Sequence, residues 1–208
     1  MKLIGMLDSP FVRRVAVSLQ VLGVPFEHQS LSVFRGYAEF QKINPVVKAP
    51  TLLFDDGEVL MDSTLILQYA EALAPPRSLV PKDLPGLQRD LRVTGLALAA
   101  VEKAVQIVYE RGLRPAEKQH QPWLDRVNEQ LRCACGALEE ELASAPEASP
   151  ASTQGLLTSA VIWKFIREMV PESVAEADHP RLVALSAQAE ALPEFMAAPH
   201  GDGTYRAA

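Results

Sequence analysis

Cysteine is scarce: Cys133 and Cys135 are the only two in 208 residues. They lie two apart in a helix-patterned stretch, so they point to different sides and are not expected to pair with each other. The four histidines, His28, His120, His179 and His200, are scattered. Neither a disulfide framework nor a metal centre can be assembled from such spacing, and a reducing cytoplasm is the simplest setting. Excess positive charge is also missing. Twenty Lys and Arg stand against 26 Asp and Glu, a formal net charge of -6. No overall positive field would gather a phosphate backbone, so nucleic acid is not an expected partner. Long apolar runs are absent as well: nothing approaches the roughly 18 consecutive apolar residues of a membrane-spanning helix. The apolar start of the chain is broken by Asp8, and neither a signal peptide nor a membrane span is expected.

What remains is a globular composition, 48% hydrophobic and 22% charged. Strand-like runs occur almost only in the first 75 or so residues. Lys2 to Leu7 is an apolar run closed by Asp8-Ser9-Pro10, a turn and helix start. From Val12 the apolar residues Val12, Val15, Ala16, Leu19 and Leu22 recur at helical spacing until Gly23 and Pro25. Phe26 to Val33 reads as a strand, Tyr37 to Ile43 as a short helix, and Asn44-Pro45 as a break. Thr51 to Phe54 and Val59 to Met61 flank Asp55-Asp56-Gly57, a hairpin signal. A third helix begins at Asp62-Ser63 and is expected to turn Leu65, Ile66, Tyr69, Ala70 and Leu73 inward. The order β-α-β-α-β-β-α predicts a mixed four-stranded sheet covered by helices.

Pro75, Pro76, Pro81 and Pro85 then interrupt any regular element, and residues 77–86 read as a linker. Beyond it the periodicity is helical throughout, over about 87–112, 120–145, 156–170 and 180–192. Ser144 to Gly155, with two Pro and no large apolar residue, reads as an exposed loop. The expected organisation is therefore an α/β domain over 1–76, the linker, and an all-helical domain over 87–208.

Three segments could carry chemistry. Ser9-Pro10 stands where a strand hands over to a helix, and the unpaired N–H groups of that helix start favour an anion such as a thiolate. Ser at the N-cap and Pro at N1 also start ordinary helices. Lys48-Ala49-Pro50-Thr51 puts a proline at the first residue of a strand; this is either a plain strand start or a cis proline that turns the Ala49 backbone toward a cleft. Asp62-Ser63-Thr64 is an N-cap box, or a pair that receives the ammonium and carboxylate of an α-amino acid head group.

In order and spacing these segments resemble the cytosolic glutathione S-transferase superfamily, in its serine-type bacterial form. Ser9 to Arg14 resembles S-P-[FY]-x-x-[KR], Asn44 to Leu52 resembles N-P-x-G-K-V-P-x-L, and Asp62 to Ile66 resembles E-S-x-x-I. Gly155 to Ala160 resembles the family's capped, buried helix. The resemblance implies a thioredoxin-like N-terminal domain and a helical C-terminal domain. It further implies a cytoplasmic homodimer of detoxification type that adds glutathione, its co-substrate, to a small hydrophobic electrophile without a metal. Isomerase, dehalogenase or reductase activity, or a non-catalytic glutathione- or partner-binding module, are the alternatives.

Residue by residue, Ser9 would donate its hydroxyl to the sulfur and Ala49, before Pro50, would pair its backbone with the cysteinyl unit. Asp62 and Ser63 would hold the γ-glutamyl head, and Lys48 or Arg35 would reach the glycyl carboxylate. Phe11, Val105, Val108, Tyr109 and Gly112 would line the electrophile pocket, although Val105, Val108 and Tyr109 also fit a plain core face. The sequence departs from the pattern at Val47, where the family has Gly, at Asp62 in place of Glu, and at Val161 in place of a capping Asp. The last departure is expected to leave Thr158 alone to cap its helix. Leu91, Leu96, Leu98 and Ala99 lie on more than one side of a single helix, which together with the resemblance suggests a homodimer in which the N-terminal domain of one subunit meets the helical domain of the other.

Overall fold

A computed structural model describes residues 1–206. The chain divides into two compact units, Met1–Val80 with the chain from Glu190 onward, and Pro81–Ala189.

The first unit holds β1 (Lys2–Ile4), α1 (Pro10–Leu22), β2 (Glu27–Gln29), α2 (Tyr37–Ile43), β3 (Thr51–Leu53), β4 (Val59–Met61) and α3 (Ser63–Leu73). The sheet order is β2-β1-β3-β4, with β1 and β2 parallel and the other neighbours antiparallel. This is the mixed four-stranded sheet that the element order predicts. The strands are shorter than their apolar runs: β1 stops at Ile4 because the chain breaks at Gly5, and β2 covers only Glu27–Gln29 of the expected Phe26 to Val33. Side chains on successive strand residues face opposite ways. Ile4 packs with Leu31 and Phe40, the buried face of α2, against one side of the sheet. α1 buries Val12, Val15, Ala16, Leu19 and Leu22 as its spacing requires, and ends at Gly23 in the left-handed conformation.

α3 packs on α1 in a different rotation from the expected one. Its buried residues are Ser63, Ile66, Leu67 and Ala70, while Leu65, Tyr69 and Leu73 are 50%, 39% and 48% exposed. The buried set sits at i, i+3, i+4 and i+7, the stripe that starts from the N-terminal serine. Ile66 and Ala70 turn inward as expected, and Leu67 takes the inward place expected of Leu65, Tyr69 and Leu73.

The second unit is helical: α4 (Leu84–Leu113), α5 (Gln121–Ala143), α6 (Gln154–Met169) and α7 (Pro180–Glu190), with single 3-10 turns at Ala116–Lys118, Pro171–Ser173 and Glu176–Asp178. α4 contributes the small buried stripe Val93, Ala97, Ala100, Val101, Ala104 and Ile107, against which α5 and α6 pack. α6 starts at Gln154, two residues before its apolar pattern. Its caps are the Thr153 hydroxyl, which accepts from Leu156 N–H at 3.4 Å, and the Asp90 carboxylate, which accepts from Gly155 N–H at 2.8 Å. Thr158 and Val161 are fully buried in the interior of α6, and Thr158 is no cap. The carboxylate missing at 161 is therefore replaced by one from α4.

After α7 the chain returns to the first unit through α8 (Pro193–Met196). Arg13 of α1, fully buried, anchors this return. It makes a bidentate pair with Glu190 at 2.7 and 2.8 Å, its Nε donates to the Ala198 carbonyl at 2.8 Å, and its guanidinium lies over the Phe195 ring. No helix among the described residues is long and apolar enough to cross a membrane.

Candidate active site

Strand register gathers the candidate segments at one end of the sheet. Thr51 pairs with Ile4 on one side and with Met61 on the other. Because β3 runs antiparallel to both neighbours, the residue before it, Pro50, shares an end of the sheet with Gly5 after β1 and Asp62 after β4. Gly5, at φ +138°, makes this closeness possible: a Cβ there would lie 2.6 Å from a Val12 methyl and 3.1 Å from the Ala49 Cβ. The first turn of α1 and the Ala49 segment therefore meet over a residue that has no side chain.

Ser9 is the N-cap of α1, half-buried, with Pro10 at the first helical position. Its Oγ accepts from Val12 N–H at 3.4 Å, a long bond that leaves the hydroxyl proton to donate elsewhere. The neighbouring Asp8 carries a carboxyl raised above its ordinary value by burial, which outweighs the opposing effects of His200, the Ser9 backbone and Arg35. Asp8 read in the sequence only as a turn residue.

The Ala49–Pro50 peptide is cis, one of the two readings the sequence allowed. The loop before it is held by Asn44, which is buried. Asn44 Nδ2 donates to Thr51 Oγ1 at 2.8 Å, its Oδ1 accepts from Val46 N–H at 3.0 Å, and Thr51 Oγ1 donates to the Lys48 carbonyl at 2.7 Å. Lys48 is exposed and Ala49 partly covered. Val47 within this loop adopts φ +54°, a left-handed conformation rare for a β-branched residue.

Asp62 is the N-cap of α3 at φ +75°, and its Oδ1 accepts from Thr64 N–H at 2.9 Å. Ser63 is buried at the first helical position. Its hydroxyl accepts from Arg14 Nη1 at 3.2 Å, and the same nitrogen lies 3.4 Å from the Thr64 hydroxyl. Arg14 is almost wholly buried, and its Nε has no hydrogen-bond partner. Burial lowers its pKa to about 10, while the Asp62 charge pulls it back up. Arg14 thus links α1 to the start of α3, a contact 49 residues apart in sequence that nothing local signals.

Arg35 is drawn elsewhere: it is exposed and its guanidinium lies 3.7 Å from the Asp202 carboxylate. Phe11 is partly buried at the start of α1. On α4, Val105 and Val108 are partly exposed, while Tyr109 and Gly112 are exposed. All four lie off the buried stripe of that helix, so they are not the plain core face that their spacing also allowed. Among the described residues no group of three or more His, Cys, Asp or Glu is placed to hold a metal ion.

Chemically, the gathered end of the sheet offers a helix start that favours an anion, a hydroxyl donor on it, and a carboxylate beside a second helix start. Known proteins resemble this chain. The glutathione S-transferase N-terminal domain family matches residues 3–78. The uncharacterized GST-like protein YibF of Escherichia coli is 30% identical over 139 residues, 67% of this chain and 68% of its own. Glutathione S-transferase U6 of Arabidopsis thaliana is 29% identical over 142 residues, 68% of this chain and 60% of its own. Among solved structures, a glutathione transferase family member from Pseudomonas fluorescens Pf-5 with bound glutathione superposes with a TM-score of 0.80 at 28% identity. That match covers 95% of this chain and 97% of the other. The family match, the likeness to YibF and the fold agree, and the chain belongs to the glutathione S-transferase superfamily.

Proposed function

We propose that this chain is a serine-type glutathione transferase that adds the glutathione thiolate to a small, hydrophobic electrophile. The observation that carries the reading is Ser9: its hydroxyl stands at the N-terminus of α1, with only a long capping bond on its oxygen. A free thiol has a pKa of about 8.5, so only a few per cent is thiolate at neutral pH. Donation from the Ser9 hydroxyl, beside the positive end of a helix, favours the anion, at about 1.4 kcal/mol for each unit of lowering. Ser9 acts as a hydrogen-bond donor and not as a nucleophile.

Ala49 pairs its backbone with the cysteinyl unit, and Asp62 and Ser63 receive the γ-glutamyl ammonium and carboxylate. Arg14 donates to the Ser63 oxygen and so turns the Ser63 proton outward, toward that carboxylate. Lys48 takes the glycyl carboxylate. Arg35 is the weaker candidate for that role, because Asp202 already holds it. Phe11, two residues after Ser9 at the start of α1, is the apolar side chain that the first unit offers the electrophile. The bound glutathione of the Pseudomonas relative supports the ligand assignment. The assembly is a homodimer, a reading supported by the apolar stripe Leu65, Tyr69 and Leu73 left exposed on α3 and by exposed Leu91 on α4.

The test is a panel of electrophiles, from aryl halides to enones, haloalkanes and disulfides, assayed with glutathione by loss of thiol and by product mass. Conjugates with aryl halides or enones support the transferase. Tight glutathione binding with no turnover on any member would replace it with the binding-module reading.

A further inference from the structure

Resting on the thiolate at Ser9, we propose that Asp8 carries the thiol proton to the product, and that the electrophile of this site is an activated alkene such as an enone. Asp8 directly precedes Ser9 and lies half-buried in the turn between β1 and α1. Consecutive Cα atoms are about 3.8 Å apart, so a group bonded to a sulfur on Ser9 is within reach of the Asp8 side chain. Asp62, the carboxylate at the start of α3, is differently placed: its Oδ1 is given to the Thr64 amide and its charge faces Arg14.

The cover over Asp8 comes from the far end of the chain. Arg13 Nε holds the Ala198 carbonyl at 2.8 Å, Ser30 Oγ donates to the Asp202 carbonyl at 2.7 Å, and Tyr205 N–H donates to His28 Nδ1 at 2.8 Å. These ties set His200 and Asp202 near Asp8. With Arg35 from the loop before α2 and the Ser9 amide of its own turn, they are the groups that act on its carboxyl. Burial outweighs them and holds the carboxyl above its ordinary range. A thiolate on Ser9 adds a like charge beside it, and neighbouring anions do not both ionise readily. The thiol and Asp8 therefore share one proton, and the reactive arrangement is thiolate with protonated Asp8.

The class of electrophile follows from where that proton goes. On an enone, a sulfur lone pair forms the S–C bond to the β-carbon and the alkene π pair moves onto the carbonyl as an enolate. Asp8 gives its proton to the α-carbon and is a carboxylate again, ready to take the proton of the next thiol. On an aryl halide the C–X bond breaks, halide leaves with the electron pair, and the product needs no proton. Asp8 assists only the first reaction.

The test compares trans-4-phenylbut-3-en-2-one with 1-chloro-2,4-dinitrobenzene on the full chain saturated with glutathione. Asp8→Asn keeps an acceptor for the Ser9 amide but carries no carboxyl proton. Its kcat on the enone should fall about a hundredfold, the lower end of general acid catalysis. Its bound thiol should titrate at lower pH than in wild type, because a like charge is gone, and its rate on the chloroarene at neutral pH should not fall. That second rate also reports that the variant is folded. Asp8→Glu, which keeps the acid, should retain the enone rate that Asp8→Asn loses. Unchanged enone turnover in Asp8→Asn, equal losses on the two substrates, or equal enone rates in the two variants would overturn Asp8 as the proton carrier. A wild type that conjugates the chloroarene and not the enone would overturn the alkene assignment alone. One that turns over neither would overturn the transferase reading, and this inference with it.

Discussion

Asp90, in the second turn of α4, accepts the backbone N–H of Gly155 at the start of α6 across 65 residues of sequence, at 2.8 Å and out of contact with water. A Cβ at 155 would lie 2.7 Å from that carboxylate, so the glycine permits the approach as much as the aspartate exploits it. This contact does for α6 what a capping box within the helix would otherwise do.

Asp90→Ala should therefore destabilise the protein by about 2–3 kcal/mol, since it removes a charged acceptor and leaves a buried donor unsatisfied. Thr153→Ala removes only a 3.4 Å bond and should cost about 0.5 kcal/mol. Urea unfolding of the two variants checks the ratio. Equal costs would mean that α6 is capped from within.

Ser9→Ala should lower stability by only about 0.5 kcal/mol, the small end of the capping range, because its bond to Val12 is long. Glutathione should still bind through the Ala49 and Asp62-Ser63 segments. The thiolate absorbance of bound glutathione, titrated against pH, should shift up toward the free value, and conjugation at neutral pH should fall with it. An unchanged titration in a folded, saturated variant would remove Ser9 from the chemistry.

Asp62→Asn separates charge from cap. Asparagine keeps an oxygen for Thr64 N–H and tolerates a positive φ at least as well, so the cap survives, and any fall in melting temperature should come from losing the charge that faces buried Arg14. Loss of the carboxylate should weaken glutathione by about 1–3 kcal/mol. Calorimetry giving wild-type affinity would show that Asp62 holds no ammonium.

Val47 occupies a left-handed position, φ +54°, at a cost of about 1–2 kcal/mol for a residue with a Cβ. It also packs against the Ile4, Leu31 and Phe40 cluster. Val47→Gly gives up that packing and recovers the backbone cost, so its unfolding free energy should lie within about 1 kcal/mol of wild type. A loss above about 2 kcal/mol in thermal or urea unfolding would show that packing dominates.

His28 Nδ1 accepts from Tyr205 N–H at 2.8 Å, so Nε2 carries the proton and donates to the Gly5 carbonyl at 2.7 Å. Burial pushes its pKa below the ordinary 6.5, against the opposing pull of that carbonyl. With the folded pKa below the unfolded one, the unfolded chain binds the extra proton first. The stability His28 contributes is thus full above pH 6.5 and is lost as the pH falls below it. Melting temperatures of His28→Gln between pH 7.5 and 5 should decline less steeply than those of wild type, and parallel curves would exclude His28 as the source.

Local chemistry made much of this molecule legible. Ser9-Pro10 and Gly23 bound α1, Asp56-Gly57 marks the hairpin, and the prolines from 75 to 85 separate strands from helices. Each works through the backbone of its own or the next few residues, and such effects are written in sequence order. The motif segments of the candidate site were legible for the same reason, since each is a helix start or a strand start.

What only the tertiary structure decided are the pairings between distant residues. Arg14 reaches Ser63, Arg13 holds Glu190 and the Ala198 carbonyl, Asp90 caps α6, and Arg35 lies beside the Asp202 carboxylate. The rotation of α3 belongs with them: both of its apolar stripes satisfy helical periodicity, and only packing against α1 buries Leu67 and leaves Leu65, Tyr69 and Leu73 in water. Periodicity specifies that a face will be buried. Which face it is, and which buried charge meets which partner, depends on contacts whose partners are tens to hundreds of residues away and leave no mark on the local pattern.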